Sequence, residues 1–434
     1  MKRKITEAFL QWKQSKDRKP LIVNGARQIG KTYSILEFGM SEYQNVVHLN
    51  LEKNKVAANI FEDDLTPSVL VQKLESFTED RILPGTTLLF FDEIQACERA
   101  LTSLKYFCED APQYHIIAAG SLLGVAVNRE KYSFPVGKVD ELNMYPLDFE
   151  EFLWAMGKEF FVEEIRTHFE QNLTLSEPLH KLGLDLFYKY CIVGGMPAVV
   201  NNFLKYNSFL TIQDELAKIM NEYLADMSKY ATTATSVKIR ACYDSIPTQL
   251  SKENRKFQYK IAMKGGTASI FGESIDWLLS AGIVLKCRKI EQGVMPLKGQ
   301  IDFSDFKLYM SDTGMLTMHS AFPYQMIINS IEVDNGFLGG LAENFVAQDF
   351  ANKRIPLYYW KSGESAEVDF VVQSGIDIIP IEVKKGRHNR AISLSNFVKR
   401  YNCPYSIKIS QKNFGFENNI RAVPFYALFC LRFD

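Results

Sequence analysis

One run of residues has the composition and spacing of a phosphate-binding loop: Gly25-Ala26-Arg27-Gln28-Ile29-Gly30-Lys31-Thr32. It follows the apolar run Leu21-Ile22-Val23 and precedes a predicted helix from Lys31 to Phe38. Glycines let the backbone curl so that successive N–H groups point at an anion, to which the helix presents its positive end. The alternative is an ordinary strand-to-helix turn with an exposed lysine. The position between strand and helix favours a nucleotide site.

The last two residues of this loop have separate predicted roles. Lys31 is predicted to reach the β and γ phosphates of ATP, and the Thr32 hydroxyl is predicted to bind Mg²⁺. All residues of the run from Gly25 to Thr32 are predicted to line the ATP phosphates.

An acidic pair, Asp92-Glu93, follows the apolar run Leu88-Leu89-Phe90-Phe91. The unbroken apolar run predicts a strand buried on both faces of a parallel sheet. Asp92 is predicted to hold Mg²⁺ and Glu93 to polarise the water that attacks the γ phosphate. An acidic pair at a strand end is also common as a solvated terminus. Its combination with an upstream phosphate loop favours the catalytic interpretation.

A further apolar run, His115-Ile116-Ile117-Ala118-Ala119, ends in Gly120-Ser121. A polar side chain at such a strand end lies near the γ phosphate in P-loop ATPases, so Ser121 is a candidate for placing the attacking water. A simple Gly-Ser turn is the alternative. With the run Val46–Leu51, these strands alternate with charged segments as a βαβ series, which predicts a ligand site at the carboxyl ends of the strands.

Four segments in this order resemble a large group of prokaryotic AAA-type ATPases. Members of the group end in a domain of unknown function that resembles a restriction endonuclease fold. The resemblance covers essentially the whole chain and implies ATP hydrolysis. The segments are the loop Gly25–Thr32, Phe91-Asp92-Glu93-Ile94-Gln95, Gly120-Ser121 and Met144-Tyr145-Pro146-Leu147-Asp148-Phe149-Glu150-Glu151-Phe152.

The chain departs from this group at a Gly-Arg pair, whose place is taken by Gly137-Lys138. A lysine cannot form the bidentate fork with which an arginine finger contacts a transferring phosphoryl group. Arg129 is a nearby alternative, so the identity of any finger stays open.

The middle of the chain changes to helical periodicity, interrupted by Gly194-Gly195-Met196-Pro197, which predicts a turn between two helices. We predict a helical lid over residues 149–230 and a winged-helix-like segment over residues 231–330. Ser311-Asp312-Thr313-Gly314 is predicted to be a structural turn. One basic stretch is a candidate for binding DNA and, equally, for a solvated helix face: Lys252, Arg255, Lys256, Lys260 and Lys264, with Phe257 and Tyr259 among them.

The last part of the chain presents carboxylates in an order that resembles the PD-(D/E)xK nuclease core. Glu343 lies on a predicted helix, Leu341 to Asn352. Asp369 lies in the predicted strand Glu367–Val372, and Glu382 and Lys384 lie in the next strand. A valine, Val368, replaces the proline of the motif.

The chemistry of such a core follows from strand geometry. Glu382 and Lys384 share one sheet face because side chains alternate with a period of two, and Asp369 on the adjacent strand completes a pocket. Together with Glu343, these carboxylates would suit Mg²⁺ or Mn²⁺. Lys384 would position a nucleophilic water. Ordinary cross-strand charge pairs are the alternative.

The bulk composition sets limits on the class of protein. The chain has 434 residues, 50 Lys and Arg against 51 Asp and Glu, and a formal net charge of -1. No overall field therefore attracts it to nucleic acid or to membranes. The 7 cysteines lack the spacing of a metal site, and no apolar run is long enough to cross a bilayer. We predict a cytoplasmic protein without a membrane contact.

The predicted fold class is α/β in four modules. These are a P-loop ATPase of the AAA type over residues 1–148, the lid over 149–230, the winged-helix-like segment over 231–330 and a nuclease-like α/β domain over 331–434. Two hypotheses of function remain. ATP turnover drives cleavage of DNA or RNA by the last domain, or the protein is a nucleotide-dependent switch or adaptor that docks a protein partner without cutting. The oligomeric state stays open, although AAA-type enzymes commonly form rings.

Overall fold

The computed structural model of the protein describes residues 1–121, 123–127, 134–229, 231–328, 336–363, 366–384 and 392–433. The chain forms two compact units. The first unit contains residues 1–145 and 280–282, and the second contains residues 146–279 and 283–434.

The first unit alternates helices and strands along the chain, as predicted for a βαβ series. A short 3₁₀ turn, Ile94–Ala96, follows the third strand. The elements are α1 (Ile5–Gln14), β1 (Leu21–Asn24), α2 (Lys31–Glu42), β2 (Asn45–Asn50), α3 (Lys55–Asn59), α4 (Pro67–Thr78), β3 (Thr87–Asp92), α5 (Glu98–Asp110), β4 (His115–Gly120), α6 (Leu123–Val127) and β5 (Asp140–Asn143).

In the part of the first unit that the structure describes, five parallel strands form a sheet in the order β2-β3-β4-β1-β5. Every residue of β3 and of β4 is buried, as their unbroken apolar sequences predict. Because all five strands run in the same direction, their carboxyl ends lie along one edge of the sheet. The phosphate loop, the acidic pair and Ser121 each follow a strand at this edge.

The second unit begins with a long helical region. Its helices pack on one another through apolar faces, as in α9, which buries Phe187, Tyr190 and Cys191. The helices are α7 (Phe149–Ala155), α8 (Glu159–Gln171), α9 (Glu177–Val193), α10 (Pro197–Tyr206), α11 (Phe209–Lys229), α12 (Thr233–Leu250), α13 (Tyr259–Ala262) and α14 (Ala268–Ser280), whose last residue is grouped with the first unit.

Strands and helices then mix in the remainder of the second unit. The elements are β6 (Val284–Ile290), β7 (Ile301–Met310), α15 (Thr313–His319), α16 (Tyr324–Ile328), α17 (Gly336–Asn352), β8 (Tyr358–Ser362), β9 (Ala366–Val368), β10 (Phe370–Ser374), β11 (Asp377–Lys384), α18 (Ile392–Tyr401), β12 (Ser406–Ser410), β13 (Gly415–Glu417) and β14 (Ile420–Pro424), with 3₁₀ turns at Leu297–Gln300 and Phe425–Cys430.

Two sheets occur among the described residues of the second unit, one in the order β7-β6-β8-β9 and one in the order β10-β11-β12-β14-β13. Helices α12–α14 precede the antiparallel pair of β6 and β7, which is the order expected of a winged helix. However, β6 also pairs in parallel with β8. One sheet therefore carries strands from both sides of the boundary predicted between residues 330 and 331.

The predicted single strand Glu367–Val372 is divided at Asp369. Its first part, β9, pairs with β8, whereas β10 pairs with β11 in the other sheet. At the break, the Asp369 Oδ2 atom accepts a hydrogen bond of 2.8 Å from the backbone N–H of Val383. The Asp369 carboxylate therefore accepts a backbone N–H of β11 at the point where the chain passes from one sheet to the next.

Three turns of the second unit meet in a buried cluster of hydrogen bonds. The Leu147 N–H donates to the Gly195 carbonyl at 2.7 Å. The Gly195 N–H donates to Asp312 Oδ2 at 2.6 Å, and the Met315 N–H donates to Asp312 Oδ1 at 2.9 Å. The Gly-Gly-Met-Pro segment is a turn between α9 and α10, as predicted, and Asp312 fixes its backbone.

We expect the substitution Gly195→Ala to destabilise the second unit by at least about 2 kcal/mol, because an added Cβ would collide with the Leu147 carbonyl oxygen. Gly272→Ala is the matched control. Apart from the backbone of its own helix, no described atom lies within 4 Å of its added Cβ, and alanine is preferred in a helix by about 1 kcal/mol. The midpoint of chemical unfolding measures both. Equal midpoints for the two variants would contradict this account of the turn.

Candidate nucleotide site and C-terminal carboxylates

The loop after β1 has a tightly curled backbone. Gly25 has a φ of 144° and Gly30 a φ of 90°, and both values disfavour residues with a Cβ. A Cβ at Gly25 would also collide with the Met144 carbonyl oxygen. Gly30 is the N-cap of α2, so the first N–H groups of this helix, which have no intrahelical acceptor, face the loop. This arrangement can bind an anion.

Lys31 is buried, and its ammonium group lies against the backbone at the start of the loop. Nζ donates to the Gly25 carbonyl at 2.8 Å and to the Ala26 carbonyl at 2.7 Å. Burial lowers the pKa of Lys31 to about 8, and the charges of Glu93 and Asp92 oppose that shift. The lysine therefore remains largely protonated at neutral pH.

Asp92 lies at the end of β3, and several hydrogen-bond donors surround its buried carboxylate. Oδ2 accepts from Thr32 Oγ1 at 3.1 Å and from Asn50 Nδ2 at 3.2 Å. His48 Nε2 lies 3.3 Å from the same oxygen, and Oδ1 accepts from the Glu93 N–H at 3.1 Å. The hydroxyl and carboxylate oxygens of Thr32 and Asp92 are thus adjacent, and hard oxygen donors of this kind suit Mg²⁺.

Two of these contacts, from Asn50 and His48, were not anticipated from the sequence. Both residues lie on β2, whose apolar sequence predicts a strand but not its place beside β3. In the sheet, Asn50 is directly opposite Asp92. The alternation of polar side chains at the end of β2 is the signal that could have identified them.

Glu93 has an unusual backbone and two side-chain donors. Its φ is 51°, and its Oε2 accepts from Gln95 Nε2 at 2.6 Å and from Ser121 Oγ at 3.1 Å. The Gln95 side chain lies against the Cα of Gly120, where a Cβ would clash. Glu93 and Ser121 are therefore in contact. The sequence pattern does not predict the contact of Gln95 with Glu93.

The remaining loop residues anchor the loop to the unit. Ala26 and Ile29 are buried, and Arg27 forms an ion pair with Glu52, whose atoms lie 3.8 Å apart. Gln28 has a φ of 63°, a left-handed backbone conformation that tightens the turn of the loop. The structure therefore brings every residue predicted from Gly25 to Thr32 into one loop beside the acidic pair.

Lys138 and Arg129 are the candidates for a residue that contacts the transferring phosphoryl group. Lys138 forms an ion pair of 2.8 Å with Glu109 within the first unit, and its side chain is 41% exposed. Arg129 lies outside the residues that the structure describes. The identity of a finger residue is therefore still a prediction.

In the second unit, the carboxylate of Glu343 on α17 is held by cations. It forms ion pairs with Arg255 and with Lys307, whose Nζ lies 3.3 Å from Oε2, and it accepts from the Tyr309 hydroxyl at 2.9 Å. Burial alone would raise the pKa of Glu343, but the charges of Arg255 and Lys307 outweigh it and lower the pKa. Lys307 also pairs with Glu367 at 2.6 Å.

Asp369 and Glu382 have different partners. Burial and the charge of the nearby Glu343 raise the pKa of Asp369. Glu382 Oε1 pairs with Lys384 at 2.9 Å, while Oε2 is buried and has no hydrogen-bond partner among the residues that the structure describes. Over the described ranges, no group of three or more His, Cys, Asp or Glu residues is arranged to hold a metal ion. Metal binding by Glu343, Asp369 and Glu382 therefore stays a prediction.

The basic stretch predicted to face DNA or solvent is partly used inside the second unit. Arg255 pairs with Glu343, and Lys256 pairs with Asp305. Phe257 is buried, and its ring stacks on Phe306 with centroids 5.5 Å apart. Exposed cations of the stretch are Lys252, Lys260 and Lys264.

Family comparisons divide the chain into three segments. Residues 17–153 match a family described as AAA domain. Residues 184–325 match a Domain of unknown function (DUF8612), and residues 338–428 match a second Domain of unknown function (DUF4143). A search of curated proteins finds no match. The first match agrees with the parallel sheet and the phosphate loop of the first unit.

Solved structures of low identity are also similar to this chain. A Walker-type ATPase of Pyrococcus abyssi is 16% identical, with coverage of 73% of this chain and 95% of its own and a TM-score of 0.43. The ORC2 protein of Aeropyrum pernix is 12% identical, with coverage of 78% and 92% and a TM-score of 0.36. Similarity this weak does not identify a function.

The helices that the structure describes are all too short or too polar to cross a membrane. The matched AAA family, the order of the parallel strands and the loop at their carboxyl edge agree with one another. The first unit has the parallel α/β fold of a P-loop NTPase domain, and most of it matches the AAA domain family.

Proposed function

We propose that the first unit binds ATP with Mg²⁺ and hydrolyses it. The observation that carries the proposal is the hydrogen bond between Thr32 and Asp92, which joins the end of the phosphate loop to the end of β3. An oxygen pair at this position holds Mg²⁺ in P-loop enzymes. The match to the AAA family supports the same conclusion.

Each polar group of the site has a part in this proposal. The loop N–H groups and the Lys31 ammonium bind the β and γ phosphates, and Thr32 and Asp92 hold the Mg²⁺, which neutralises phosphate charge when bound. Glu93 orients the attacking water and accepts its proton. Ser121, which donates to the Glu93 carboxylate, fixes the direction of that base.

Two substitutions separate binding from turnover. Lys31→Ala removes the cation at the phosphates, so we expect no measurable ATP binding. Glu93→Gln keeps the size of the side chain but cannot accept a proton, so we expect normal binding and a turnover rate lowered by about 10²-fold to 10⁴-fold. Fluorescent-nucleotide titration and phosphate release measure the two properties.

The exposed residue Lys105 on α5 supplies the control, because Lys105→Ala removes a lysine outside the site. It should bind and hydrolyse ATP like the parent protein. Hydrolysis by Glu93→Gln at the parent rate would show that Glu93 is not the base.

ATP binding should weaken above pH 8, because burial lowers the pKa of Lys31 to about 8 and the phosphates bind its protonated form. We expect an affinity about tenfold lower at about pH 9 than at about pH 7, with uptake of a proton on binding. Calorimetry in two buffers of different ionisation enthalpy measures the uptake. Lys31→Arg carries a permanent charge and should show none; equal uptake in both proteins would rule Lys31 out as its source.

For the second unit, we propose an adaptor that does not cut nucleic acid and that responds to the nucleotide state of the first. The observation in favour is the engagement of Glu343 by Arg255 and Lys307, because these cations already balance the carboxylate that a metal ion would need. A nuclease coupled to ATP turnover, with Asp369, Glu382 and Lys384 at its centre, is the competing candidate. The exposed lysines of the basic stretch could contact phosphates, so DNA and RNA are partners to test.

Single-stranded and double-stranded DNA and RNA, incubated with the protein and Mg²⁺ or Mn²⁺, distinguish the two candidates. The adaptor proposal predicts that degradation by the parent protein does not exceed degradation by Glu382→Ala. Cleavage by the parent protein that Glu382→Ala abolishes would establish the nuclease instead.

A further inference from the structure

Arg3 is buried, although it belongs to the basic run Met1-Lys2-Arg3-Lys4 at the start of the chain. Only 7% of the residue is exposed. Its Nη1 donates to the Ile29 carbonyl at 2.9 Å, and its Nη2 donates to the Tyr145 carbonyl at 2.7 Å. A buried guanidinium is costly without partners, so these contacts account for its position inside the first unit.

The first of these carbonyls belongs to the phosphate loop. In a loop whose N–H groups point inward at an anion, carbonyl groups point outward and need donors of their own. Ile29 lies directly before Gly30, the N-cap of α2, and its side chain is fully buried. Arg3 therefore holds the end of the curl, two residues before Lys31.

The second carbonyl belongs to the segment that holds the start of the same loop. Met144 donates its N–H to the Asn24 carbonyl at 2.8 Å, and its own carbonyl oxygen packs against Gly25. Tyr145 follows directly. Through Met144 at one end and Arg3 at the other, the segment 144–145 fixes both ends of the phosphate loop.

We propose that Arg3 is a positioning residue of the nucleotide site, which holds the phosphate loop in its binding conformation before nucleotide arrives. The inference rests on the proposed binding of ATP. Arg3 donates to a backbone carbonyl of the loop itself, so it acts on the nucleotide through the loop. A loop that already has its bound shape loses less conformational entropy on binding, and this raises affinity without a new contact to the ligand.

The bridge between the two carbonyls requires both terminal nitrogens of a guanidinium, and a positive charge alone does not form it. Nη1 and Nη2 donate to carbonyls of residues 29 and 145, whereas a lysine presents one nitrogen on a flexible stem. Arg3→Lys therefore keeps the charge and loses the bridge, and Arg3→Met loses both. Lys16→Met is the matched control, because it removes an exposed cation from the same amino-terminal part of the sequence.

The test measures the Kd of a fluorescent ADP analogue and the kinetics of ATP hydrolysis for these proteins. We expect Arg3→Met to raise Kd and KM about tenfold or more, with kcat within about twofold of the parent protein, and Arg3→Lys to be intermediate. Lys16→Met should match the parent protein. Unchanged Kd and KM in Arg3→Met would overturn the proposal.

Hydrogen exchange without nucleotide supplies a second, independent measurement. We expect faster exchange at residues 26–31 in both Arg3 variants and unchanged exchange in β3. Equally fast exchange in both segments would indicate general unfolding and would contradict a positioning role. If the parent protein binds no nucleotide, the proposed function fails, while the exchange at residues 26–31 still decides whether Arg3 holds the loop.

Discussion

The parallel pairing of β1, β3 and β4 is the constraint on which the candidate site depends. The register aligns Asn24 with Gly120 and Asp92 with Ala119, so these strands end at nearly the same level of the sheet. The residues that follow, at the start of the phosphate loop, at Glu93 and at Ser121, therefore meet at one edge. A shift of one residue in this pairing would turn the polar side chains to the other face.

Buried carboxylates occur in both units, but their surroundings differ in kind. Asp92 accepts hydrogen bonds from neutral donors, Thr32 and Asn50, so its charge remains available to a cation. Glu343 is paired with Arg255 and Lys307, which compensate its charge inside the second unit. Truncating one partner of such a buried pair would leave an uncompensated charge, at a cost of about 3–5 kcal/mol. The first carboxylate is hydrogen-bonded by neutral side chains, whereas the second already has its compensating cations within the second unit.

The sequence was most informative where the residues of the candidate site are contiguous in the chain. The curl from Gly25 to Thr32 and the acidic pair are contiguous, and their flanking apolar runs place them at strand ends. Contacts between distant segments could not be predicted in this way. Arg3 and Tyr145, or Arg255 and Glu343, meet only because the chain folds, and one-dimensional periodicity carries no information on which buried cation meets which acceptor.

The basic stretch illustrates the same limit. Lys256 and Arg255 have the spacing expected of an exposed charged surface, yet Arg255 forms a largely buried ion pair and Lys256 a partly exposed one within the second unit. The break at Asp369 was missed for a related reason, because strand periodicity does not show that a chain passes from one sheet to another.

The most direct test of the account is a crystal structure of the protein with a non-hydrolysable ATP analogue and Mg²⁺. The account predicts that the β and γ phosphates lie within the curl from Gly25 to Thr32, with the metal ion between the Thr32 hydroxyl and Asp92. A nucleotide bound elsewhere, or a metal ion that neither residue approaches, would contradict it.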